Sequence, residues 1–361
     1  MRFLRLAYLL GLLGLAGWPL LQPFRGLLQA ETWAWTASDL ARIGHLAFNT
    51  LQLVAGTLLV AVPAGTVLAF LLVRVRWRPA RFLTAALMLL LFVPLPIVLS
   101  CWQALLGHDG VMPARFWLAL DGRPWASGLG PSVWIHAVAA VPWVVAIVGL
   151  GLLRVESEVE EAAALHAAPW RIFTRVLLPR LRPSLVAAAL LVAFTTMNEI
   201  TVTDMMQFAT LAEEMHTQFT LGQREALSRT LLVALPFYVV AWLMLLAATW
   251  CWESRMPPLL LGSAPPRRFD LALCWGWQPF ALAMLSLLLL PLGSLLWKIG
   301  LRGFPPGWSW AQASNQLVQE GRLYGASVLI SVATSMATGL LIAILALLGA
   351  WLALDRRWFR L

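Results

Sequence analysis

The chain has 361 residues, 60% of them apolar and only 12% charged, whereas a soluble domain is nearer half apolar and a quarter charged. Stretches of about 20 apolar residues recur throughout, so its length is counted in membrane spans rather than soluble domains. A net charge of +9 invites a nucleic-acid reading, but the 26 basic residues sit in short clusters between apolar runs. No basic polar face results, so no nucleic-acid partner is expected.

The spans, in chain order, are predicted at about 4–22, 45–73, 82–105, 132–153, 184–205, 229–252, 272–297 and 323–354. Eight transmembrane helices of an all-α integral membrane protein are the expectation, because backbone polar groups in lipid must be paired within the segment. Arg2 and Arg5 precede the first run, which has the form of a signal peptide or an uncleaved span. Leu28 is ill suited to cleavage after Ala30, which favours the uncleaved span. Small residues four apart, Gly65 with Ala69 and Gly339 with Ala343, are expected at close helix contacts. Cys101, Cys251 and Cys274 fall in or beside spans without CxxC spacing and read as packing residues.

With the N-terminus inside, the cytoplasmic segments carry most of the arginines, including Arg74, Arg76, Arg78, Arg81, Arg154, Arg171 and Arg175. Both termini are therefore expected in the cytoplasm, and the location at the cell (inner) membrane. The run Asn49–Thr57 opening the second span is matched by Ala326–Thr334 opening the eighth, with Thr50 against Ser327 and Thr57 against Thr334. This reads as a parallel duplication. It divides the chain into a first span and outer loop (1–44), a core (45–255), a cytoplasmic linker (256–271) and a partial second copy of two spans (272–361). The second copy is expected to be truncated, so that the chain pairs with another copy, pairs with a polypeptide carrying the remaining spans, or is an inactive fragment, a fragment or split gene product being favoured over a homodimer.

Between spans four and five, residues 154–183 read as a helical elbow on the cytoplasmic surface. Glu156, Glu158, Glu160 and Glu161 crowd the start of its first helix, where the helix dipole favours negative charge. The alanines that follow are strong helix formers. Pro169 ends that helix and is suited to start the next. Read without any partner, the segment is an amphipathic interfacial linker.

The same segment resembles the "EAA" loop of permease subunits of binding-protein-dependent (type I) ABC importers. Counting back from Pro179, Glu160 takes the glutamate position and His166 the glycine position, and Leu178 and Pro179 close the pattern. Glu161 stands where the first alanine belongs or, with one residue deleted, is itself the motif glutamate; Ala163 follows in the loop, and Ala162, Ala167, Pro169, Trp170 and Phe173 accompany the pattern as in the iron-type branch. By that resemblance these residues would form a coupling helix docked on an ATP-binding subunit. The implied partners are that subunit, a periplasmic or extracellular substrate-binding protein, and a second permease half or another copy. The implied cargo is iron(III), with thiamine or another small solute as the alternative. The elbow is expected to be exposed, so that charge reversal at Glu160 and Glu161 would cost little stability.

No GxxxxGK[ST] phosphate loop is present in the sequence, and its one lysine, Lys298, is outside by topology. The chain is read as no enzyme, with ATP hydrolysis in a partner. Asn198 and Glu199 interrupt the fifth span, and with Asp204 they lie in its outer half, as a translocation pathway or as a helix-end network holding 207–225. The five histidines show no zinc-ligand spacing, and neither metal nor cofactor is expected. A secondary transporter remains the alternative outside the ABC class, although inverted repeats would be its signature and these are parallel.

Overall fold

A computed structural model describes residues 36–76, 80–106, 127–155, 157–220, 269–270, 278–302 and 307–353, with isolated positions in 6–14 and 235–246. The first and sixth predicted spans and most of the 256–271 linker lie outside the described residues. By packing, the chain forms two units, Trp33–Leu295 and a second made of Met1–Thr32 with Leu296–Leu361.

The larger unit is organised around helix α1, Ala37–Arg74. A reciprocal cap starts it. The Thr36 hydroxyl accepts from the Asp39 amide at 3.2 Å, and the Asp39 carboxylate accepts from the Thr36 amide at 3.1 Å. Leu46, Thr50, Leu53, Thr57, Ala61, Gly65 and Leu68 follow at three- and four-residue steps, so they share one buried face. That face packs on α4, Leu129–Leu153. The approach is close: a Cβ added at Gly65 would lie 2.6 Å from Val144, and one at Gly56 2.8 Å from Val133. Gly65 is thus used as predicted, whereas Gly339 meets nothing within 4 Å.

The third predicted span is not one helix. It consists of α2, Ala80–Leu90, and α3, Leu95–Leu106, bent by 109° at the break. Pro94 offers no amide to continue the first helix, and its carbonyl accepts from Ile97 to begin the second. Helices of 11 and 12 residues extend only about 16–18 Å each, well under the roughly 30 Å hydrocarbon core. The predicted elbow follows α4 as α5, Ser157–Ala164, and α6, Pro169–Ile172. It continues through a π-helical turn, Phe173–Leu177, and the short helix Leu178–Arg180 into α7, Arg182–Met197. The fifth predicted span ends there. Residues 198–200 break it before α8, Thr201–Met205, and α9, Leu211–Thr220, follows. Two-residue strands Val75–Arg76 and Phe269–Asp270 pair in parallel below α1.

Helix α10 covers Gln278–Ile299, and α11, Trp310–Ala353, is the long helix of the second unit. Most of its apolar side chains are exposed, among them Leu329, Met336, Leu340 and Leu347. Lipid is the solvent that suits such a surface. Among the described residues, three helices are long and apolar enough to cross a membrane: Ala37–Arg74, Leu129–Leu153 and Trp310–Trp351. Counting each bent pair as one span gives five.

Candidate functional site

The elbow has the predicted two helices and break, with Pro169 at the start of the second. Its turn is made without glycine. Gln207 alone among the described non-glycine residues has positive φ, 52°, so His166 needs no left-handed backbone where the importer pattern has glycine. The elbow is held to the larger unit by an apolar side. Ile172, Phe173 and Leu177 are buried, and the Phe70 and Phe173 rings lie 4.6 Å apart. Ala163, Ala167 and Leu178 pack against this core. Facing away are Glu161, Ala162, His166 and Pro179, together with Leu165 (78% exposed) and Trp170 (50%).

Glu160 departs from expectation. Its side chain and that of Arg74 are both 0% exposed, and Arg74 Nη2 lies 2.7 Å from Glu160 Oε1. The same Arg74 nitrogen donates to the Leu152 carbonyl at the end of α4. Glu160 and Glu161 are therefore not one exposed pair. Reversing both would place a cation beside a buried guanidinium, so the expected small stability cost holds for Glu161 alone.

Asn198, Glu199 and Asp204 do not converge. The Asn198 side chain donates to the Phe194 carbonyl and accepts from the Tyr238 hydroxyl at 2.8 Å. Asp204 is exposed. Glu199 faces a cavity. The Thr201 and Val202 amides donate to its carboxylate at 2.8 and 2.9 Å, and His136 Nε2 lies 3.4 Å from Oε2. His136, buried in α4, donates through Nδ1 to the Ser132 carbonyl at 2.7 Å. Both line a cavity of about 270 Å³ whose other walls include Trp102, Trp143, Val98 and Pro291. No local pattern marks His136 in the sequence, because its partner Glu199 is distant in the chain, in the break between α7 and α8. Among the described residues no group of His, Cys, Asp and Glu is arranged to hold a metal.

The segment after α8 is stitched to the N-terminal half of α1. Arg42 pairs with Glu214 at 2.6 Å, Asn49 donates to the Ala209 carbonyl, and the Leu211 amide donates to Thr50 Oγ1. Thr210 and Glu213 cap α9 reciprocally at 3.3 Å. Burial raises the Glu213 carboxyl above its ordinary pKa, and the neighbouring Asp204 and Glu214 charges add to this, against the Thr210 amide.

These features belong to a known helical architecture. The fold is that of the transmembrane domains of ABC importers. A chain of a bacterial ABC transporter involved in the import of the acidic polysaccharide alginate matches at a TM-score of 0.53 and 16% identity, covering 70% of this chain and 94% of that one. A chain of a bacterial alginate ABC transporter in complex with an alginate pentasaccharide-bound periplasmic protein matches at 0.51 and 16%, covering 70% and 96%. A chain of the MetNI methionine ABC transporter, at 0.47 and 19% identity, covering 62% and 100%, is too distant in shape to add weight. No protein-family model matches the sequence, and no curated protein matches it.

Proposed function

We propose that this chain is the membrane-spanning subunit of an ATP-driven, ABC-type importer, and that the outward face of α5 and α6 is where an ATP-binding subunit engages it. The observation that carries this is the elbow itself. Leu165 and Trp170 are exposed on a segment whose opposite side is anchored in the core. An apolar patch rimmed by Glu161 and His166 is the kind of surface that a protein partner covers. Closure of paired ATP-binding subunits would displace the elbow and shift the spans between outward- and inward-open arrangements.

A substrate-binding protein would deliver cargo from outside, and a second permease half or another copy would complete the passage. Residues 45–255 would form the core, with the elbow and both termini cytoplasmic, in the cell inner membrane. Glu199, with Asn198 and Asp204 near it in sequence, would contribute to the translocation route, the Glu199–His136 cavity being its polar point. Iron(III) is the first cargo to test, on the resemblance of the loop, and thiamine or another small solute the next.

The test is co-purification. Leu165→Asp with Trp170→Asp should abolish retention of a co-expressed ATP-binding subunit, and Leu165→Asp alone should weaken it while leaving thermal stability in detergent unchanged. Undiminished retention would sink the assignment of the surface. Uptake into proteoliposomes that runs on an ion gradient without ATP would favour a secondary transporter.

A further inference from the structure

The positive-inside rule explains why an arginine ends α1, but not why that arginine is buried. An arginine that only sets topology keeps its guanidinium among headgroups and water. Arg76, two residues on, is exposed. Arg74 is fully enclosed, with the Leu152 carbonyl of α4 accepting from it and the Glu160 carboxylate of α5 as its ion-pair partner. A planar guanidinium carries five donors in a fixed fork, so one side chain can hold groups on two elements at once. α1 and α4 are already locked by the approaches at Gly56 and Gly65. Arg74 thus joins the elbow to a rigid pair of helices.

We propose that Arg74 is the positioning residue of the elbow: through Glu160 it fastens α5 to the cytoplasmic ends of α1 and α4, so that displacement of the elbow's outward face is delivered to both helices. Glu160 then acts inward, on this chain, and Glu161, Leu165 and Trp170 are left to meet the partner. The transmission rests on the elbow being the coupling surface; the fastening does not.

Hydrogen exchange of the full chain in nanodiscs, followed by mass spectrometry, tests both parts. Arg74→Met takes the Arg74 cation from the enclosed Glu160, so exchange in peptides covering 157–170 should rise at least tenfold, with those from the middle of α1 and α4 unchanged. Arg74→Met with Glu160→Met removes both charges and should return the elbow to within threefold of the wild type. Arg74→Lys should fall between, and Glu161→Met should change nothing.

Wild-type exchange in Arg74→Met, or a double variant as loose as the single, overturns the fastening. If Arg74→Met cannot be recovered as inserted protein, recovery of the double variant supports the proposal and its loss overturns it. In complex with an ATP-binding subunit, adding a non-hydrolysable ATP analogue should alter exchange in α1 of the wild type. In Arg74→Met the change should stay within the elbow. An undiminished change in α1 overturns the transmission. Failure of any ATP-binding subunit to bind the wild type defeats the functional reading and leaves the fastening to be decided by the elbow peptides.

Discussion

Glu160 and Glu161 are neighbours in opposite surroundings, one enclosed against Arg74 and the other open to solvent. Glu160→Lys should therefore cost about 3–5 kcal/mol, the scale of breaking a buried pair. Glu161→Lys should stay within about 0.5 kcal/mol, as surface changes do. Thermal unfolding in detergent separates them, and equal midpoints would contradict the burial of Glu160. The raised Glu213 carboxyl gives a second expectation. A group that binds its proton more tightly folded than unfolded favours the fold at low pH, and this advantage is lost as pH rises through the folded pKa. Glu213→Gln keeps an acceptor for the Thr210 amide and removes a charge beside Asp204 and Glu214. Its midpoint should exceed the wild type's at pH 7, and the gap should narrow towards pH 4. At this scale the sequence carried the composition of the elbow but not its facing. Which of two adjacent glutamates turns inward is decided by Arg74, distant in the chain, and the same distance hid His136 from Glu199.

For the elements, close approach is the governing feature. Gly65→Ala should push α1 off Val144 at a cost of about 1–3 kcal/mol, and Val144→Ala in the same chain should recover most of it. Gly339→Ala, in open space on α11, should be silent in the same unfolding measurement. Both glycines belong to small-residue pairs of the same form, so the pattern alone does not say which is in contact. Apolar run length found α1 and α4, but α4 starts three residues earlier than predicted and α1 eight, because Thr36 and Asp39 extend α1 beyond its apolar stretch. Run length failed for the third span, where a continuous apolar segment conceals the 109° bend. Pro94 and Pro96 were the local signal for that break. For the fifth span, the polar residues 198–199 marked the point where α7 stops.

At the scale of the whole molecule, orientation is the property most open to test. In a chain stripped of its cysteines, a label at Ser157 should be reached by impermeant reagent only from the cytoplasm, and one at His216 only from outside. Labelling of Ser157 in intact cells would reverse the orientation and remove the elbow from the ATP-binding side. The likeness between Asn49–Thr57 and Ala326–Thr334 takes on different physical forms. Thr57 is enclosed, whereas Thr334 is exposed and donates to the carbonyl of Ile330. The enclosure of Arg74 also bears on how the chain is made. Arg74 leaves the ribosome well before Glu160, and until the elbow exists its charge has only headgroups and water to rest against. During that interval α1 is held at the depth that suits a solvated arginine. Docking of the elbow encloses the charge, so the seating of α1 at its Arg74 end is completed only after Glu160 has been made.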